Sequence, residues 1–344
     1  MTVQENPFVS VIVAVRNEAD FIERCLSSIL DGDYPRDLME VLVVDGMSDD
    51  GTREIVQRLS ARDARIRLLD NEGRIVACGL NAGIRAARGQ VITWLGGHAE
   101  YAPDFLRQSV ETLKAHADCW CVGGPIETVS ETYVGKVTAA AMSTPVGVGN
   151  AMFRLGGYEG YVDTATFASY WRWVFDKIGL FDEELVRNQD DEFNARLIRQ
   201  GGKIWLTPLI RSRYYPRTSL GKLWRQYFQY GTWRIRTIQK LGQPATVRQV
   251  APLLFVVGLV ACLVGAAVWR PLTWLFAAYV ALYSLGLLVG VWQVARQAGI
   301  RCALFSPVVF MILHFGYGLG SLKGIWLFVI RKRGGRYGDK SLSR

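Results

Sequence analysis

Three stretches of this chain contain no Asp, Glu, Lys or Arg: residues 251–269, 271–295 and 302–322. As helices of 19, 25 and 21 residues, each reaches across about 30 Å of hydrocarbon, for which about 20 residues are needed. A soluble chain rarely holds one such run. Three in succession predict a membrane-attached C-terminal part, and the first 250 residues must then supply a folded domain.

Charge divides the chain along the same lines. Residues 1–202 carry 20 Lys and Arg against 30 Asp and Glu, residues 203–250 carry 10 against none, and residues 251–344 carry 10 against 1. The result is a mildly acidic body, a basic collar and a basic, apolar tail. A footprint for phosphate backbones should spread across a folded domain instead of lying beside uncharged apolar runs, so no nucleic-acid partner is expected and membrane lipids are. The first residues show no basic segment followed by a long apolar run, so no secretory signal is expected. The cysteines, Cys25, Cys78, Cys119, Cys121, Cys262 and Cys302, lack Cys-x-x-Cys or metal-ligand spacing and read as reduced thiols of a cytosolic domain.

Within the body, residues 8–15 form a continuous β-branched run suited to a strand buried on both faces. Helix-period segments at 20–30, 52–61 and 80–87 alternate with apolar runs at 39–44, 66–69 and 90–95. Strands alternating with helices of this length predict βαβ units and a mostly parallel sheet. Ligands of such sheets sit beyond the carboxyl ends of the strands. There the chain reads Arg16-Asn17-Glu18, then Asp45-Gly46-Met47-Ser48-Asp49-Asp50-Gly51-Thr52, then Gly96-Gly97-His98-Ala99-Glu100. One acidic residue after a strand is an ordinary helix cap. Three polar strand ends point to a cleft. No G-x-G-x-x-G or Walker A pattern is present in this half, against a dehydrogenase or a P-loop enzyme.

Residues 134–168 are rich in Gly, Ala and Thr, as in a mobile loop or a site of close backbone approach, and read as a substrate loop, an ordinary long connection being the alternative. Soon after comes Asn188-Gln189-Asp190-Asp191-Glu192 at a predicted helix start. The helix dipole alone favours acids there. A poised carboxylate base is the functional reading.

Taken in this order, the motifs resemble the inverting family 2 glycosyltransferases, in the bacterial exopolysaccharide branch typified by the succinoglycan glucosyltransferases, over about residues 8–240. The resemblance implies an α/β, GT-A nucleotide-sugar-binding domain with a mostly parallel twisted sheet, followed by C-terminal transmembrane helices. Its expected bounds are 1–218 for the catalytic domain, 219–248 for an amphipathic basic and aromatic interfacial region, 249–331 for the membrane domain and 332–344 for a basic tail. By the same resemblance Arg16, Glu18, Asp45, Asn81 and Gly97 bind the nucleotide sugar, Glu18 and Asp45 through ribose or uracil. Asp190 is the catalytic base, with Asp191 the competing assignment. Gly96-Gly97-His98 occupies the place of the family's Asp-x-Asp metal motif, so His98 is the expected ligand of Mn²⁺ or Mg²⁺, although glycine replaces the first aspartate.

The collar, residues 223–234, resembles the family's Gln-x-x-Arg-Trp element at Gln226, with Gln229 and Tyr230 in the arginine and tryptophan places. The resemblance assigns Asp191, Arg225, Gln226, Gln229, Tyr230 and Arg234 to the acceptor or the leaving diphosphate. Cations interleaved with Trp224, Tyr227, Phe228 and Trp233 equally describe an interfacial helix on anionic lipid.

With the catalytic domain cytoplasmic, 251–269 exits and 271–295 returns, which puts Arg296 and Arg301 inside. A third crossing would place Arg331-Lys332-Arg333, Arg336 and Lys340 outside, against the same rule. Three spans, or two spans and a hairpin, therefore both stand. The expected location is the inner (plasma) membrane, and the expected partners are a nucleotide sugar, most simply UDP-glucose, and a lipid-linked polyprenyl acceptor. A polyprenyl-phosphate transferase and a silent nucleotide-sugar-binding subunit are the rival readings.

Overall fold

The computed structural model describes residues 6–216 and 219–334. The chain divides into two compact units, each built from two stretches: Met1–Glu127 with Gly156–Tyr215, and Thr128–Leu155 with Pro216–Arg344. From position 335 on, the expected basic tail lies outside the described residues.

The strands of the first unit are β1 (Val9–Val15), β2 (Met39–Asp45), β3 (Ile66–Asp70), β4 (Val91–Gly96), β5 (Ala99–Tyr101), β6 (Cys119–Gly123), β7 (Ile126–Thr128), β8 (Gly160–Val162), β9 (Ser169–Trp171), β10 (Lys203–Leu206) and β11 (Ser212–Tyr214). Eight of them form one sheet in the order β3-β2-β1-β4-β9-β6-β10-β8, and β5-β11-β7 form a second. β1 pairs in parallel with β2 on one side and β4 on the other, so Val15 faces Asp45 and Ala14 faces Gly96. β9 runs antiparallel between β4 and β6, and β10 is parallel to β6. The sheet is therefore mostly parallel, as expected of a GT-A domain. The register brings the ends of β1, β2 and β4 to one edge.

The β-branched runs are central because both faces are covered: Val11, Ile12, Val13, Leu42, Val43 and Val44 are fully buried. The helix Ile22–Leu30 packs with Ile22, Cys25, Leu26 and Ile29, an i, i+3, i+4, i+7 face. The helix Val76–Ala86 begins four residues before the expected start at 80. Its glycines let it lie close to β1: a Cβ at Gly83 would stand 2.5 Å from Ile12. Buried Glu40 on β2 accepts from the Ser10 hydroxyl at 2.7 Å, the Arg88 amide at 2.8 Å and Arg67 at 2.9 Å. Burial opposes its ionisation, but these donors outweigh it and hold the carboxyl below its ordinary pKa.

The second unit corrects the reading of 134–168 as a loop. Its first part forms the helices Tyr133–Met142, Pro145–Val148 and Met152–Leu155. The small residues serve close packing: Ala139, Ala140 and Ala141 are buried, and a Cβ on Gly147 would stand 2.1 Å from the Ala141 carbonyl. The collar is one helix, Leu220–Leu241, followed by Ala251–Val268 and the long helix Leu272–Gly324. The long helix breaks at Gly299, whose φ of 81° belongs to the left-handed region that glycine adopts without strain. From Ile325 to Ile330 its last turns widen to a π-helix. Ala251–Val268 and Leu272–Ile330 are both long and apolar enough to cross a membrane.

Candidate active site

The loops after β1 and β2 are joined side chain to backbone. Asn17 and Asp49 exchange two hydrogen bonds, Nδ2 to Oδ1 at 2.8 Å and the Asp49 amide to Oδ1 at 3.1 Å. The Glu18 amide donates to Thr52 Oγ1 at 2.8 Å, and the Ala19 amide to Asp50 Oδ2 at 3.0 Å. Burial disfavours charge on Asp50, yet the Thr52 hydroxyl and the amides of Ala19 and Thr52 more than offset it, so its pKa lies below the carboxylate norm. The Asp45 side chain is fully buried, accepting from Ser48 Oγ at 2.5 Å, the Ser48 amide at 3.1 Å and Arg53 at 3.3 Å. Arg16 is half-buried at the same edge, its Cβ 3.1 Å from where a side chain on Gly46 would begin.

Glu18 is 5% exposed, and its Oε1 lies 3.0 Å from His98 Nδ1. The His98 ring is further bounded by Tyr214 at 5.0 Å and Phe21 at 6.5 Å between centroids. A carboxylate on one imidazole nitrogen fixes the ring and leaves the other, Nε2, for a ligand, the arrangement usual behind a metal-binding histidine. No cluster of three His, Cys, Asp or Glu suited to a metal exists among the described residues. Among those residues, His98 is thus the one side chain here placed to serve as a single protein ligand of a divalent cation.

Gly96 has a steric cause. A Cβ there would stand 2.7 Å from the Phe167 ring, which occupies the space a carboxylate at this position needs. Gly97 is equally close-packed, 2.6 Å from Val15 and 3.5 Å from Glu18 by the same measure. Beneath Gly96, the Cys25 thiol donates to its carbonyl at 3.5 Å. Burial, reinforced by the charge of Glu18, pushes this thiol far up, so it stays protonated. All six cysteines are free.

Asp190 and Asp191 open the helix Gln189–Arg199. The helix precedes β10, which runs parallel to β6, so its end meets the amino edge of the sheet and its start projects to the carboxyl edge. Its position is held by Asn194, which donates to Thr164 Oγ1 at 2.9 Å and accepts from Tyr170 at 3.0 Å. Asp190 Oδ1 accepts from the Asp191 amide at 2.9 Å. Asn81 proves to be a brace for this region: its amide donates to the Phe181 carbonyl and to Glu183, each at 2.8 Å, and accepts from the Phe181 amide at 3.0 Å.

Asn17, Met47, Phe167 and Asn188 all have φ between 53° and 61° without being glycine. Such strain persists where surrounding structure over-determines it; these four lie in the strand-end loops, beside Gly96 and at the start of the Asp190 helix, while Arg74 and Lys332 share the conformation elsewhere. Phe167, Phe21 and Tyr214 escaped the sequence analysis because an isolated aromatic residue carries no period or motif.

The remaining expected residues belong to the second unit. Gln226 donates to Tyr230 at 2.9 Å, and buried Arg234 donates through Nε to Tyr317 at 2.9 Å. Gln229 is buried, whereas Arg225 is exposed.

Comparison with known proteins gives the family and the fold. The model of the Glycosyl transferase family 2 matches residues 10–179. A Methanococcus voltae protein named dolichyl N-acetyl-alpha-D-glucosaminyl phosphate 3-beta-D-2,3-diacetamido-2,3-dideoxy-beta-D-glucuronosyltransferase is 32% identical over 241 residues, 68% of this chain and 74% of its own length. Succinoglycan biosynthesis protein ExoA of Rhizobium meliloti (strain 1021) is 29% identical over 314 residues, covering 90% of this chain and 92% of its own. Among solved structures, the mannosyltransferase PcManGT from Pyrobaculum calidifontis, in complex with GDP-Man and Mn²⁺, superposes with a TM-score of 0.64 at 21% identity, over 94% of this chain and 88% of that one. At that identity the likeness speaks for the fold.

Proposed function

This chain belongs to glycosyltransferase family 2, and we propose that it is a membrane-bound inverting transferase moving a hexose, glucose by preference, from a UDP-linked donor to a lipid-linked saccharide in exopolysaccharide or cell-surface glycan synthesis. The observation that carries the reading is the Asp190 carboxylate at the start of Gln189–Arg199, on the sheet edge that also bears the zipped loops and the Glu18–His98 pair. The relatives' names support the glycan setting and a lipid-linked acceptor. The exposed apolar surface of Ala251–Val268 supports attachment to a bilayer.

In this reading the loops 16–18 and 45–52 seat the nucleotide, and Asp190 takes the proton of the acceptor hydroxyl as its oxygen attacks the anomeric carbon. The bond from that carbon to the diphosphate breaks on the opposite face, so one displacement inverts the centre and releases the nucleoside diphosphate. A divalent cation bound by His98 would offset charge on the leaving diphosphate. Glu18 holds the imidazole in the tautomer and orientation this needs.

The test is nucleotide release by detergent-purified protein from a panel of UDP- and GDP-sugars, with lipid extract and with or without Mn²⁺. Asp190→Asn should lower sugar-specific release by about 10²–10⁴-fold, whereas Asp191→Asn should stay within about tenfold of wild type. The reverse pattern moves the base to Asp191. Donor binding without release from any sugar would favour a silent subunit, the reading to which the Phe167 ring in the place of a metal carboxylate lends weight.

A further inference from the structure

Between positions 203 and 338 the sequence has no Asp or Glu, so the cations of the collar have no acid in this stretch to pair with. One of them, Arg225, shares a pocket with Lys323 of the long helix. A pocket of about 240 Å³ lies between the collar helix and the end of the long helix, lined among others by Trp224, Arg225, Phe228, Gln229, Lys323 and Leu327. The Lys323 ammonium lies 5.3 Å from the Phe228 ring centroid. No salt bridge reaches Arg225 or Lys323 among the described residues. Two residues after Lys323 the helix widens to its π turn, a geometry that recurs at functional positions. That turn carries exposed Trp326, Val329 and Ile330.

We propose that this pocket binds the phosphate head of a membrane-embedded lipid, with the lipid chain lying along the apolar π turn. Arg225 offers a planar fork of donors and Lys323 a compact ammonium, together matching the charge of a phosphomonoester or diphosphate. Trp224, Phe228 and Leu327 form the apolar walls that a free inorganic anion would not use. The proposal deepens the lipid-linked acceptor reading, since the acceptor's own phosphate is one source of such a head group and a bilayer phospholipid is the other.

The experiment uses the full chain in a neutral detergent and measures binding of geranylgeranyl phosphate, dioleoyl phosphatidic acid, geranylgeraniol and inorganic phosphate. Both lipid phosphates should bind at least about tenfold tighter than the alcohol or the inorganic ion, and Arg225→Gln and Lys323→Gln should each weaken them by about tenfold. Lys222→Gln, which removes an exposed cation of the same helix outside the pocket, should change affinity less than about twofold. Preference for the prenyl phosphate supports the site with the acceptor as its source, and equal binding of both lipid phosphates supports it with the bilayer as source. Equal binding of the alcohol, or equal losses in all three variants, overturns it. Donor turnover is read on the same preparations, so lipid-phosphate binding without turnover leaves the pocket standing and tells against the transferase reading alone.

Discussion

Gly96 joins the sequence and the site at a single residue. The sequence showed that glycine stands where the family carries a carboxylate, but the Phe167 ring that fills the space lies 71 positions away and has no motif to announce it. Gly96→Ala should therefore destabilise the first unit by about 1–3 kcal/mol, the range for overpacking a filled core, seen as a lower thermal midpoint. An unchanged midpoint would mean that Phe167 swings away freely. Asp50 gives a second prediction. Its folded-state pKa is depressed, so its contribution is present above the unfolded value of about 3.9 and is lost as pH falls from there through the folded value. Wild-type stability should decline below about pH 4, and Asp50→Asn should show a shallower decline, measured by denaturant unfolding at stepped pH. Equal slopes would remove Asp50 from the account. At this scale the placement of Arg16, Glu18, Asp45 and His98 at strand ends was legible, because polar residues there close continuous apolar runs. The commitment of Asn81 to Phe181 and Glu183 was not, since that contact spans 100 positions.

Elements were read best where one period dominates. β1, β2 and β4 agree with the expected runs to within a residue, because a strand buried on both faces leaves a continuous apolar signature. The start of the stretch 134–168 was read as a loop where helices form, since glycine marks both a flexible loop and a close helix contact. The stripe Gly316, Gly320 and Gly324 is such a contact: built Cβ atoms would stand 3.5, 2.1 and 2.5 Å from the carbonyls of Trp224, Phe228 and Thr232, which are spaced by four on the collar helix. Thr232 Oγ1 also donates to the Gly320 carbonyl at 3.0 Å, and Ser321 Oγ to the Gly231 carbonyl at 3.3 Å. Small residues at this spacing let two backbones approach, and a side chain separates them. Gly320→Ala should cost about 1–3 kcal/mol in detergent-solubilised protein. Gly286→Ala, where nothing lies within 4 Å, should be neutral or stabilising by up to about 1 kcal/mol. Equal behaviour of the two variants in a thermal unfolding assay would show that the stripe is not a tight contact.

The whole second unit distributes its apolar surface unevenly, and that distribution bears on how the chain meets the bilayer. Leu254, Val260, Leu263, Val264 and Val268 on one helix, with Trp274, Leu282, Leu285, Leu288 and Trp292 on the next, are more than half exposed, on the two helices long and apolar enough to cross a membrane. The third charge-free stretch differs: Ala303, Ser306, Val309, Phe310, Leu313 and Ser321 are buried, and Gly316 and Gly320 face the collar helix. Its contacts with Ala251–Val268 gather near that helix's start, where Gly318 meets Pro252 and Val256 and Phe315 meets Phe255 at 5.2 Å. A segment packed in this way against a basic, aromatic helix needs no crossing of its own. Two spans then leave Arg331-Lys332-Arg333 on the side of Arg296 and Arg301, in keeping with the positive-inside rule. Reporter fusions to the C-terminus should give a fluorescent cytoplasmic protein and an inactive periplasmic phosphatase. An active phosphatase would instead require a third span, and would carry the pocket of Arg225 and Lys323 into the question of how a buried collar helix keeps its cations solvated.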